Sequence, residues 1–277
     1  MKSKVKLIGV DLDGTLLTTQ KELTAYTREV LERAVRQGII VLPATGRPLS
    51  GIPRELLEFP GFGYAVTANG GRVVDIRTGE TLFEELVPVE AARKVLEIFG
   101  HYDSLREIYY DGTGYAQIDV LEKISRYMEE PPMAEYIKRT RVPVPDIWAK
   151  FEQENRCADK VQGLFVSLED RNSAIEELRA VSGIEITGAL KMNIEVNAAG
   201  VNKGKALVRL GETLGIRREE IMAFGDGSND LQMMREVGIG VAMANAKEEI
   251  KEAADYIAAS NDEDGVAGFL EEFVLNC

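Results

Sequence analysis

The sequence holds a single histidine, His101, and only two cysteines, Cys157 and Cys277. So little imidazole excludes a histidine-rich metal centre. A Ser–His–acid triad would have to be built on His101, and no serine elbow of the G-x-S-x-G kind accompanies it. His101 therefore reads as a surface or half-buried side chain. The cysteines lie far apart and form no zinc-type cluster, which suits two unpaired thiols in a reducing compartment better than a disulfide framework. Long apolar runs are also missing: none approaches the roughly 20 residues of a membrane span. The basic opening Met1-Lys2-Ser3-Lys4 leads into an apolar stretch that ends at Asp11, too short for a signal peptide with its cleavage site. A cytoplasmic protein is expected. Positive charge is scarce, with 33 Lys and Arg against 46 Asp and Glu and a net charge of −13. That predicts no nucleic-acid partner, because such a surface needs clustered basic side chains, and no binding to an anionic membrane. A small anionic ligand is still compatible, provided a metal or a local basic group meets it.

What is present is a globular composition, 45% hydrophobic and 29% charged over 277 residues, enough for one large domain or two ordinary ones. Val5–Val10 is an apolar, β-branched run that reads as a buried strand. A helix follows with Thr24 as its cap and Gly38 past its end, then a second buried strand at 39–42. Pro48 suits the first turn of a further helix, and Tyr64–Thr67 reads as a third strand of the same parallel sheet. Val73–Glu84 has the look of a hairpin turning at Thr78-Gly79. From about Pro88 to Val196 the texture changes. Helical stretches (Val89–Phe99, Arg171–Ser182) mix with half-alternating strands (Ile108–Tyr110, Val161–Leu168, Met192–Val196), and Glu130-Pro131-Pro132 and Val142–Pro145 interrupt them. The α/β alternation resumes with a helix capped by Asn202 and a strand at Ile221–Phe224. The expected fold is α/β, a Rossmann-like parallel-sheet core with an inserted α+β cap domain. Residues 1–85 and 198–277 would form the core and 86–197 the insert.

Ligands of open α/β sheets bind at the carboxyl ends of the strands. Three predicted strands end there in polar groups: Asp11 and Asp13; Thr45 and Gly46; and Asp226, Asn229 and Asp230. Carboxylates gathered at one edge repel, and a hard cation relieves the repulsion; Mg²⁺ takes one or two carboxylates together with phosphate oxygens. Asp11–Glu22 is not a calcium loop, because its sixth position holds Leu16 where glycine is required, and the loop starting at Asp226 fails likewise at Leu231. Gly200–Lys205 lacks P-loop spacing, with Ala206 where Ser or Thr belongs.

Asp11-Leu12-Asp13-Gly14-Thr15-Leu16, Thr45-Gly46-Arg47-Pro48, Lys203 within Asn202-Lys203-Gly204, and Gly225-Asp226-Gly227-Ser228-Asn229-Asp230 occur in that order. Together they resemble the four motifs of the haloacid dehalogenase-like hydrolases, in the Cof-type branch (subfamily IIB) that carries a C2-type cap. The resemblance implies a Mg²⁺-dependent phosphatase of small phosphorylated metabolites, sugar phosphates foremost, working as a monomer or small homo-oligomer. It implies that Asp11 is the nucleophile and forms an aspartyl-phosphate, and that Asp13 is the general acid and base. Leu12, Thr45, Gly46, Lys203 and Asn229 would hold phosphate. Asp11, Asp226 and Asp13 would meet the metal, Asp13 through its backbone carbonyl or its side chain, and Asp230 would support Lys203 or the metal from behind. Asn69 and Arg47 could line the leaving-group side or be turn and surface residues. Tyr109, Tyr110, Tyr115 and Trp148 read more readily as packing than as substrate contacts. A phosphohexomutase with the same aspartyl-phosphate and a non-catalytic sugar-phosphate sensor are the alternative functions.

Overall fold

The apolar run before Asp11 forms strand β1 (Leu7–Val10), buried at all four residues. Covered on both faces, it pairs in parallel on either side, as continuous apolar strands do. The computed structural model describes residues 5–188 and 190–276, so Met1–Lys4 and Cys277 lie outside the described residues. Helix α1 (Ala25–Arg36) begins at Thr24, whose side chain accepts a hydrogen bond from the Thr27 amide. Strand β2 (Ile40–Pro43) returns beside β1. The helix expected after Pro48 is reduced to a 3₁₀ turn at Leu49–Gly51 and the single-turn α2 (Arg54–Leu57). Pro53 is the reason: a residue preceding proline is pushed out of helical backbone, and Ile52 is extended, with φ −75° and ψ 131°.

Strand β3 (Tyr64–Thr67) departs from the expected topology. Its ladder is antiparallel, to β4 (Arg72–Asp75), and β5 (Glu80–Glu84) completes a separate three-stranded sheet. The tight connection at 68–71 folds the chain straight back along β3. One parallel bridge, Ala44 with Val66, and the Thr45 amide on the Val66 carbonyl at 2.9 Å tie β3 to the end of β2.

The inserted segment runs α3 (Val89–Gly100), β6 (Ser104–Tyr110), β7 (Thr113–Gln117), α4 (Ile118–Leu121), α5 (Pro131–Thr140), β8 (Val142–Val144), α6 (Ile147–Glu154), β9 (Lys160–Phe165), α7 (Leu168–Leu178), β10 (Ile184–Thr187) and β11 (Asn193–Ala198). Its sheet has the order β10-β11-β9-β6-β7-β8. Pro131 and Pro132 do not interrupt this unit but start α5, where the missing amide costs nothing. Pro143 sits in the edge strand β8, where it removes no ladder bond from the sheet interior. Helix α7 begins earlier than the sequence suggests because Ser167 caps it, accepting from the Asp170 amide at 3.0 Å. One sheet face is apolar: Ile108, Tyr110, Val161, Ile194 and Val196 pack with Phe99 and Phe151, and Tyr115 and Trp148 lie against them. The opposite side-chain row carries Glu107, Tyr109, Lys160, Gln162 and Glu195, all buried.

The chain then builds α8 (Lys203–Thr213), β12 (Ile221–Gly225), α9 (Leu231–Glu236), β13 (Ile239–Met243), α10 (Glu248–Ala253), β14 (Tyr256–Ala258) and α11 (Gly265–Leu270). The main sheet is parallel throughout, in the order β14-β13-β12-β1-β2. Two compact units result: Met1–Gly46, Pro53–Phe83 and Asn202–Cys277 form one, and Arg47–Ile52 with Glu84–Val201 the other. No described helix is long and apolar enough to cross a membrane. His101 is exposed, with its Nδ1 3.0 Å from Glu177 Oε2, and Cys157 is an exposed free thiol. Phe151 is fully buried in the insert's apolar layer. Phe151→Ala is expected to destabilise that unit by about 3–5 kcal/mol, read as a lowered urea midpoint.

Candidate active site

Strand β1 is the point where the strand order reverses. The chain leaves it toward β2 on one side and later returns to β12 on the other. Val10 is in register with Phe224 and with Pro43, so Asp11 emerges between the ends of β12 and β2, the position where such sheets hold ligands. The Asp11 amide still donates to the Phe224 carbonyl at 3.0 Å. The next residues curl back: the Leu16 amide donates to the Asp11 carbonyl at 3.1 Å and the Leu17 amide to that of Leu12 at 2.9 Å. Gly14 permits this turn. It has φ of 80°, and a Cβ there would lie 2.4 Å from Asp226 Oδ2.

Lys203 is the first residue of α8, where a cation opposes the helix dipole. Its side chain is fully buried and its Nζ lies 2.6 Å from Asp11 Oδ1 and 2.7 Å from Asp230 Oδ1. Burial works against the ammonium, but those two carboxylates more than offset it and hold its pKa above the ordinary value. Asp230 Oδ2 accepts from the amides of Asp226 at 3.0 Å and Gly227 at 2.9 Å. Asp230 thus has both oxygens occupied and acts as a bracket between Lys203 and the end of β12. The bracket needs Gly225, where a Cβ would lie 2.5 Å from Asp230 Cγ.

Asp226 is placed differently. Thr15 Oγ1 donates to its Oδ1 at 2.9 Å. Burial, then the Asp230 charge, push its pKa to about 7, against the lowering effects of Thr15 and Lys203. Burial also raises Asp11 well above the usual carboxylate range, with Lys203 opposing it and Asp230 and Asp226 adding to it. Asp13 is half-buried and its carboxylate pairs with Lys21 at 2.8 Å. Oxygens of Asp11, Asp226 and Asp230 lie within 4.8 Å of one another. The donors are all hard carboxylates gathered at one strand edge, a set that suits a hard divalent cation such as Mg²⁺.

Thr45 is buried at the end of β2, its amide on Val66 and its carbonyl accepting from the Asn69 amide at 3.0 Å. Asn69 in turn accepts from Asn229 Nδ2 at 3.0 Å through Oδ1, so the second and fourth motifs are linked through it. Ala68, Asn69 and Gly70 have φ of 48°, 58° and 102°, a run of left-handed backbone that L-residues adopt only under constraint. Arg47, by contrast, belongs to the second unit, where its guanidinium lies 4.1 Å from the Tyr136 ring centre and donates to the Gly51 carbonyl at 3.0 Å. Sequence reasoning underweighted Asn69 and gave no role to Thr15 or Lys21. The Thr of D-x-D-G-T is the signal that could have found the first of these two. Nothing in the sequence singles out Lys21, which meets Asp13 through a turn with φ of 65°.

A profile of the haloacid dehalogenase-like hydrolases matches residues 8–270. The 5-amino-6-(5-phospho-D-ribitylamino)uracil phosphatase YcsE of Bacillus subtilis is 34% identical over 275 residues, covering 98% of this chain and 96% of that protein. The HMP-PP phosphatase of Serratia proteamaculans is 30% identical, covering 89% and 86%. Among solved structures, a haloacid dehalogenase-like hydrolase from B. subtilis superposes with a TM-score of 0.84 at 26% identity over 98% of this chain and 100% of that one. The subclass IIB sugar phosphatase BT4131 gives 0.82 at 27% over 97% and 99%. With the strand-end acids, the buried lysine and these likenesses together, the chain belongs to the haloacid dehalogenase-like hydrolases, in their Cof-type branch of phosphatases.

Proposed function

We propose that this phosphatase hydrolyses phosphate monoesters of small polyhydroxylated metabolites, with Mg²⁺ bound and Asp11 as nucleophile. The observation that carries the reading is the Lys203 ammonium, buried and shared by Asp11 and Asp230 at 2.6 and 2.7 Å. Lys203 occupies Asp11 Oδ1 and leaves Oδ2 to attack phosphorus. The bond from phosphorus to the leaving oxygen breaks as the aspartyl bond forms, and Asp13 gives that oxygen its proton. Asp13 then takes a proton from water, whose oxygen displaces Asp11 and releases inorganic phosphate. Such acid–base assistance contributes about 10²–10⁴-fold. Lys203, Thr45, Asn229 and the amides of Leu12 and Gly46 would stabilise the phosphoryl oxygens. Asp11 and Asp226, with Asp13, would hold Mg²⁺, which supplies charge neutralisation and Lewis acidity when bound.

The leaving-group class rests on relatives: proteins named as a phosphatase of a phosphoribitylamino compound and as a sugar phosphatase support a small polyhydroxylated substrate. A sensor without catalysis predicts a lost nucleophile or metal-facing acid, yet Asp11, Asp13, Lys203 and Asp226 are all present.

A phosphate-release screen over phosphorylated metabolites should show activity with Mg²⁺, loss of it with EDTA, and a loss of roughly 10³-fold or more in Asp11→Asn. Undiminished Asp11→Asn activity refutes the mechanism. Isomerised sugar phosphate without free phosphate would instead identify a mutase.

A further inference from the structure

The loop that follows the nucleophile, residues 14–24, is held from outside by a segment near the other end of the chain. Asn245 Nδ2 donates to the Gly14 carbonyl at 2.8 Å and Asn261 Nδ2 to the Leu17 carbonyl at 3.0 Å. The two asparagines are themselves joined, the Asn261 amide donating to Asn245 Oδ1 at 3.0 Å. Asp262 accepts from both the amide and the hydroxyl of Thr19, each at 2.7 Å. Asp264 accepts from the hydroxyls of Thr24 and Thr27. The order is the same on both sides: 245, 261, 262 and 264 meet 14, 17, 19 and 24.

The clamping segment is tightly folded. Asp264 is left-handed, with φ of 54°, and a Cβ at Gly265 would lie 2.0 Å from the Ala259 carbonyl oxygen. The bond to the Gly14 carbonyl is exposed and adds little net stability, because water satisfies that acceptor when the bond is lost, whereas the bond to the Leu17 carbonyl is buried. Their effect is on orientation. The Gly14 carbonyl belongs to the peptide plane that continues into Thr15, and Thr15 is the residue that holds Asp226. On its other side Gly14 adjoins Asp13.

We infer that the ladder from Asn245 to Asp264 is a positioning device that sets Asp13 for proton transfer and, through Thr15, sets Asp226 for Mg²⁺. Asn245, held to the Gly14 peptide, is its decisive rung. The inference rests on the roles proposed above for Asp13 and Asp226. None of the four ladder residues is among those proposed above to hold substrate or metal; each acts through the loop. Losing such a supporting partner typically costs 10–100-fold in metal affinity or activity.

The test uses the full chain with Asn245→Ala, Thr15→Ala, the double variant and Asn261→Leu. Three quantities are read: thermal midpoint, the Mg²⁺ concentration giving half of the metal-induced thermal shift, and kcat and KM on p-nitrophenyl phosphate. Asn245→Ala should lower kcat about 10–100-fold with KM little changed, and raise the Mg²⁺ half-saturation several-fold. Asn261→Leu should act in the same direction. The double variant should lose no more than about 3-fold beyond the worse single variant, since both changes break one path. Wild-type kcat and Mg²⁺ half-saturation in Asn245→Ala, additive losses in the double variant, or losses matched by the unfolded fraction would each overturn the inference. If the wild-type chain binds Mg²⁺ but releases no phosphate, the hydrolase reading fails. The metal half-saturation still decides whether the ladder positions Asp226.

Discussion

A buried ammonium shared by two carboxylates is the interaction on which the rest of the structure depends. Lys203 is fully buried at a helix N-terminus, a place that would reject a cation without Asp11 and Asp230. The pair fixes three chain segments that are distant in sequence: the end of β1, the start of α8 and the turn after β12. Asp230 extends the tie by receiving the amides of Asp226 and Gly227, so the strand end and the lysine are set by one carboxylate. Four acids crowd this edge against Lys203 and Lys21, and that imbalance is what makes a divalent cation the natural complement.

Much of this was legible in the sequence, for identifiable reasons. Continuous apolar runs of four to six residues ending in acid or Thr-Gly are readable because a doubly covered parallel strand tolerates no polar alternation. Caps at Thr24 and Asn202 are readable because their side-chain oxygens replace missing helical acceptors. The four motifs at strand ends fix the neighbours of Asp11 once the strands are parallel.

What escaped depends on tertiary context. The pairing of β3 with β4 is decided by the tight connection at 68–71, not by the composition of Tyr64–Thr67. The two prolines at 131 and 132 signal either a break or a helix start, and only the residues that follow decide which. Asn69 carries no periodic or compositional signal; it matters because left-handed backbone turns its side chain onto Asn229. Lys21 meets Asp13 for a similar local reason. In the insert, the alternation of Glu107 and Tyr109 with Ile108 and Tyr110 marks a two-faced sheet, but a single strand does not show that the polar face is buried.

The chemistry claimed for Asp11 leaves a covalent trace, and that trace is the most direct test. Enzyme mixed with substrate and Mg²⁺, quenched in acid within one turnover and digested, is examined by mass spectrometry for a phosphoryl group on the peptide that carries Asp11. Wild-type protein is predicted to carry it transiently at that residue, and Asp11→Asn to carry none. Steady release of phosphate by the wild type with no phosphorylated Asp11 at any quench time would contradict the nucleophile.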